Sequence, residues 1–292
     1  MELWSTETEE RFFRESLSSA DPEQLFYITE SDEYLAYWPK DHKGHGHKRT
    51  LQSRNSLIGQ FTEKWVRGLL EEAVSNEGFF AIRGAVCEEL GLSNSSPADI
   101  VISRSNSPIQ RAEDIRLIIE VKMSIVWNWQ FIGHSGTNYL KVVGDYKTHQ
   151  GKPGLLRSDS MLKAIGKGIN IRVSGKAGSR IPYIVMGNTP ITEHYVHKVD
   201  HLKTAGVVQG FFSLNPIPTD SGDFVHSTPK EGFYTFHDFN DVRSRILSLV
   251  TEERRYFLGM RTPRKLGEII DIASGEPTYE AKAERFLQLL ED

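Results

Sequence analysis

Cysteine is nearly absent from this chain of 292 residues. Cys87 stands alone, which excludes an intrachain disulfide and points to a reducing, cytoplasmic location. Long apolar runs are missing too: no stretch approaches the roughly 18–20 residues that span a bilayer, so no membrane partner is expected. The first residues, with Glu7, Glu9, Glu10 and Glu15, are too acidic for a signal peptide. Internal repeats, low-complexity tracts and Pro/Gly/Ser linkers are lacking, and one domain is expected. The segment Lys147–Pro153 lacks phosphate-loop spacing, which excludes that mode of nucleotide binding. No Ser/His/Asp or Cys/His arrangement stands out by local spacing, although a dispersed triad leaves no such trace. Net charge is small, at −4, and argues against indiscriminate nucleic-acid binding.

What is present is an ordinary globular composition, 38% hydrophobic and 25% charged, with its charges segregated. Residues 1–35 are acidic and so, on balance, are 268–292. Between them Lys141, Lys147, Lys152, Arg157, Lys163, Lys167, Arg172, Lys176 and Arg180 face only Asp145 and Asp159. Such segregation suits a single positive groove, or merely lysines on exposed helices. Ile58, Phe61, Trp65, Leu69 and Ala73 repeat at helical spacing and predict a helix over 56–75. A second helix is expected from Ser158 or Asp159, burying Met161, Leu162, Ile165 and Ile169 and leaving Lys163 and Lys167 on an open side. Strands are expected over 79–86, 181–186, 207–214 and 233–236, with helices over 192–204, 243–259 and 279–290. This alternation implies the α/β class: a mixed central sheet flanked by helices, with extra helices at both termini.

Two short runs carry the chemistry. Pro97-Ala98-Asp99-Ile100-Val101-Ile102 and Leu117-Ile118-Ile119-Glu120-Val121-Lys122 each set ionisable groups among residues that would otherwise make a dry strand. An isolated charge there costs several kcal/mol or neutralises, unless something pairs with it. Glu120 and Lys122, two apart, project to one face of a strand, with Ile119 and Val121 on the other. A hairpin around the polar stretch 103–114 would return Asp99 to the same end. Two carboxylates and an ammonium then converge, which suits a divalent cation and a phosphate.

An Asp opening one strand and a Glu-x-Lys in the next resemble the PD-(D/E)xK nuclease superfamily, with twenty residues between the carboxylates. Ala98, inserted between Pro97 and Asp99, departs from the strict motif, but the proline carries no chemistry. The preceding helix also fits: Glu63, a turn from Gly59, stands where many members carry a supporting acid. The resemblance covers roughly residues 56–215 and implies a restriction-endonuclease-like fold. It further implies Mg²⁺ held by Asp99, Glu120 and the Val121 carbonyl. Lys122 would orient or deprotonate the attacking water, and Glu63 would assist. The size and the lack of a helicase or ATPase motif favour a type II restriction endonuclease acting on double-stranded DNA. Such enzymes usually work as a homodimer on a palindrome, with a cognate DNA methyltransferase as genetic partner. A structure-specific repair or recombination nuclease of the same superfamily, and a non-catalytic DNA-binding module, are the alternatives.

Beyond the motif, Arg157, Lys163 and Lys167 are expected to meet phosphates, which position DNA without reading it. Asn128 and Gln130, in Trp127-Asn128-Trp129-Gln130, have amides able to read adenine, although tryptophans at that spacing more often anchor a strand. His194, His197 and His201 share a helix, but lack the glutamate placement of zinc-protease helices and read as a polar face. His42, His45 and His47 lie in a basic Gly-rich loop that could bind metal, but a flexible arm following the phosphate backbone, or plain disorder, is the favoured reading.

Overall fold

The run Ile115–Lys122 forms β5, an interior strand of a six-stranded mixed sheet. This is a computed structural model, and it describes residues 2–40, 51–134, 137–252 and 261–291. β5 is buried along nearly its whole length, as befits a strand covered on both faces. Its neighbours are β4 (Ala98–Ser103), antiparallel, and β8 (Tyr183–Gly187), parallel. β3 (Phe80–Ala85) pairs antiparallel with β4, while β9 (Gly210–Ser213) and β10 (Phe233–Thr235) continue the sheet in parallel beyond β8. The spatial order is therefore β10-β9-β8-β5-β4-β3.

Alternation along the strands divides the core. Ile100, Ile102, Ile119 and Met186 pack with α1 (Thr6–Leu17), α3 (Gln52–Val74) and α6 (Phe239–Thr251). Val101, Ile118, Val185 and Phe211 pack on the other side with α4 (Ser158–Arg172) and α5 (Glu193–Thr204). Each fully buried Leu, Ile or Val contributes about 1.5–3 kcal/mol, so these two layers fix the strand register against slippage. The helix expected over 56–75 is α3, with Ile58, Trp65, Leu69 and Ala73 buried.

The second expected helix, α4, is rotated from its predicted orientation. Leu162 is 62% exposed and Ile169 47% exposed, where both were expected inside. The buried stripe runs instead through Met161, Ala164, Gly168 and Ile171. The reason is close approach: a Cβ on Gly168 would stand 2.8 Å from the Tyr183 ring, so only glycine lets the helix settle there. Ala164 and Gly168, rather than Leu162 and Ile169, lie between Met161 and Ile171 on the face toward the sheet.

The aromatic segment after β5 forms a second, four-stranded antiparallel sheet. β1 (Tyr27–Ile28) pairs with β2 (Tyr34–Leu35), β2 with β6 (Asn128–His134), and β6 with β7 (Thr137–Gly144). A short helix, α2 (Pro22–Leu25), precedes it. Contacts divide the chain into two units, Met1–Arg254 and Arg255–Asp292. The second contains α7 (Pro263–Ser274), capped by the Thr262 hydroxyl, and α8 (Tyr279–Glu291). The helix expected over 243–259 begins earlier, at Phe239, and ends at Thr251; residues 253–259, like the His42–His47 loop, lie outside the described ones. Among the described residues no helix is long and apolar enough to cross a membrane.

Candidate active site

The hairpin of β4 and β5 brings Asp99 back beside Glu120. Ile100 lies opposite Ile119, and the Val121 amide donates to Asp99 Oδ2 at 2.8 Å. That bond fixes one carboxylate oxygen onto the strand that carries the other carboxylate. Glu120 and Lys122 sit on the α4 side of the sheet, with Ile118 before them in the buried layer. Lys122 Nζ donates to Glu120 Oε1 and stands 3.4 Å from the Val121 carbonyl and 4.0 Å from Asp99 Oδ2.

A second ammonium completes the cluster. The rotation of α4 that seats Gly168 against Tyr183 also turns its neighbour, Lys167, toward the sheet. Its Nζ lies 2.6 Å from Glu120 Oε2 and 3.4 Å from Asp99 Oδ1, and it donates to the Pro97 carbonyl at 2.9 Å. Two carboxylates and two ammoniums therefore form a compact, formally neutral group at the carboxyl end of β5. Glu120 is 6% exposed, yet no well-directed hydrogen bond reaches its Oε2, whose nearest partner is the Lys167 ammonium.

The electrostatics separate the two acids. Burial pushes the Asp99 carboxyl above its ordinary range, the Glu120 charge adds to this, and Lys167 and Lys122 oppose it. Burial raises Glu120 as well, but Lys122 and Lys167 outweigh it and hold this carboxyl low. Lys167 responds in kind: burial disfavours its charge, and the two carboxylates more than compensate. Glu63, half-buried on α3, belongs to the same field. Burial raises its carboxyl, Asp99 adds to the rise, and Arg83 and Lys122 counter it.

The donor set suits a hard cation. Asp99 and Glu120 offer carboxylate oxygens, the Val121 carbonyl faces the same cluster, and Mg²⁺ commonly completes its shell with water. Glu120 Oε2, which no well-directed hydrogen bond reaches, faces the same cluster. Among the described residues no group of three or more His, Cys, Asp or Glu surrounds one point, so a cation here would rely on two carboxylates. His194, His197 and His201 point to solvent, where Lys198 Nζ meets His194 Nε2 at 2.6 Å.

The other expected contacts are dispersed. Asn128 is buried and its Oδ1 accepts from the Tyr37 amide at 2.8 Å, so it holds β2 to β6 and cannot meet a base. Trp127 and Trp129 are both buried. Gln130 donates to Glu33 at 2.9 Å. Arg157 is exposed and forks onto Asp159 at 3.0 and 2.8 Å, and Lys163 faces solvent. Lys167, expected on that open side with Lys163, belongs to the carboxylate cluster instead. The signal for this was the pair Ala164 and Gly168, small residues at helical spacing that mark the face closest to a sheet.

One buried acid was read only as part of an acidic N-terminus. Glu9, 0% exposed, accepts from the Val126 and Trp127 amides at 2.6 and 3.2 Å and from the Trp4 and Trp129 indoles at 3.1 and 3.0 Å. It fastens α1 to the segment that follows Lys122. With fold and site described, comparison supplies no relative: no family model, no curated protein and no solved structure matches this chain.

Proposed function

We propose that this chain is a Mg²⁺-dependent endodeoxyribonuclease of the PD-(D/E)xK type, with a restriction-endonuclease-like core, acting as a type II restriction endonuclease. The observation that carries the reading is the convergence of Asp99, Glu120 and Lys122 on one strand end, tied together by the Val121 amide. Phosphodiester hydrolysis needs an in-line water and compensation for charge that builds on the phosphorus oxygens. A bound Mg²⁺ supplies Lewis acidity at that point. Asp99 and Glu120 are the residues that would hold it, with the Val121 carbonyl. Lys122, at hydrogen-bond distance from Glu120, would orient the attacking water or donate to the oxygen on which charge develops. Glu63 would act from α3 through its field on Asp99.

Cutting both strands at a palindrome calls for two copies related by a two-fold axis, so a homodimer is part of the proposal. The test is digestion of a sequenced plasmid with and without Mg²⁺, with the ends mapped. Discrete fragments that require Mg²⁺ and vanish in Glu120→Gln are expected. DNA left intact by the wild type, or cut equally by Glu120→Gln, would overturn the assignment. Cleavage confined to branched or single-stranded DNA would replace the restriction reading with the repair one.

A further inference from the structure

We propose that Lys167 is the resident counter-ion of the Asp99–Glu120 pair: it occupies the place of a divalent cation, must yield when one binds, and so sets the site's metal affinity. The inference rests on the metal-nuclease reading, and it concerns a residue outside the Glu-x-Lys motif.

The assignment follows from which oxygens are already committed. Asp99 Oδ2 accepts from the Val121 amide at 2.8 Å, and Glu120 Oε1 accepts from Lys122. The two remaining oxygens are Asp99 Oδ1 and Glu120 Oε2, and both face one group, Lys167 Nζ, at 3.4 and 2.6 Å. An ammonium bridging the uncommitted oxygens of two acids stands where a cation shared by those acids would stand. The two cannot be accommodated together at such distances, because like charges a few ångströms apart repel strongly in a partly buried site.

Two features make Lys167, rather than Lys122, the group that yields. Its 2.6 Å contact with Oε2 lacks hydrogen-bond direction, and its directed bonds go instead to the Pro97 carbonyl and, at 3.4 Å, to Asp99 Oδ1. It also has another acceptor in close reach, the Pro97 carbonyl at 2.9 Å, whereas the backbone carbonyl nearest Lys122, that of Val121, is 3.4 Å away. Lys122 is bound to the same strand as Glu120 and donates to the oxygen that a bridging cation leaves unused. Once displaced, the Lys167 ammonium remains at the mouth of the site, where a phosphate would be its natural partner.

The test measures Mn²⁺ binding without DNA, from loss of the free-ion electron paramagnetic resonance signal, in wild type, Lys167→Gln, Lys167→Arg and Glu120→Gln. Lys167→Gln should bind Mn²⁺ more tightly than wild type by about tenfold or more, since a competing cation is gone. Lys167→Arg should stay close to wild type, and Glu120→Gln should lose the site. A lysine that merely props the carboxylates predicts the opposite sign, so unchanged or weaker binding in Lys167→Gln overturns the proposal. A second measurement uses unaltered protein: acylation of lysines followed by peptide mass spectrometry. Mn²⁺ should raise labelling of Lys167 several-fold and leave exposed Lys163 unchanged, whereas constant or reduced labelling of Lys167 overturns the proposal. Failure of the nuclease reading looks different: Mn²⁺ binds and Lys167 responds, but wild-type protein leaves DNA intact.

Discussion

Glu9 and Glu120 are both nearly sealed from solvent, and they are opposites. Among the described residues no cation pairs with Glu9; two backbone amides and two indoles, each an N–H donor, share its two oxygens. Glu120 is met by two ammoniums, and one of its oxygens lacks any well-directed hydrogen bond. Asp145 and Asp200 resemble Glu9. Thr219 and the Asp220 amide bond to the first, and Thr228 with the Lys230 and Gly232 amides bond to the second. Burial by itself therefore does not mark a functional acid. An acid whose partners are fixed dipoles is part of the scaffold. An acid whose partners are ionised lysine side chains is, under our proposal, one that can exchange them for another cation.

Paired isosteric substitutions sharpen this contrast. Glu9→Gln replaces one acceptor oxygen by an NH₂ that faces two donors, so two buried N–H groups lose their partner. A loss of about 3–4 kcal/mol in unfolding free energy is expected from urea denaturation. Glu120→Gln should cost clearly less than Glu9→Gln, because Asp99 stays beside both ammoniums, at 4.0 and 3.4 Å, and the amide oxygen still accepts from one of them. Equal losses for the two variants would erase the distinction between scaffold and site.

Much of this was legible in the sequence because it depends on local periodicity. The 3.6-residue stripe of α3 and the apolar runs of β4 and β5 specify those elements, and a hairpin between the runs brings Asp99 to Glu120 and Lys122. What the sequence concealed depends on distant packing. The small sheet joins β2 to β6, strands almost a hundred residues apart, so no local pattern announces it. Asn128, whose amide the sequence offers for reading adenine, is spent on the Tyr37 amide for the same reason. The orientation of α4 follows from a contact between Gly168 and Tyr183, and with it the position of Lys167. Hydrophobicity ranks Leu162 and Ile169 above Gly168 for burial, whereas close approach reverses that order.

The second prediction concerns pH, where a sealed acid without a cation differs in sign from one that has two. Burial pushes the Glu9 carboxyl from 4.5 up to about 7, against the pull of its four N–H partners. The folded protein then holds a proton that the unfolded chain releases at lower pH. Glu9's contribution to stability is complete below pH 4.5, falls as pH rises through about 7, and levels off above it. The loss across that window is about 3 kcal/mol. Unfolding midpoints of wild type measured relative to Glu9→Gln at pH 4.5, 6 and 8 isolate this residue from other titrating groups. A difference that grows with pH would contradict the sign. Glu120, held low by its two lysines, acts the other way: its contribution is present above the ordinary carboxylate range and is lost on acidification.

The smallest effect is expected where cation and carboxylate meet in water. Arg157 forks onto Asp159 with good geometry, 3.0 and 2.8 Å, but both side chains are about half exposed. Screening and side-chain entropy cancel most of that attraction, so Arg157→Ala should shift unfolding free energy by about 0.5 kcal/mol or less. If Arg157 meets a DNA phosphate, the same substitution should weaken binding evenly across sequences and reduce the slope of log affinity against log salt by about 1. Fluorescence anisotropy with two unrelated duplexes at several salt concentrations reads both quantities. An unchanged slope would take Arg157 out of the DNA interface and leave Asp159 as its only partner. A stability loss as large as that of Glu9→Gln would show that exposure, too, fails to separate scaffold charges from the rest.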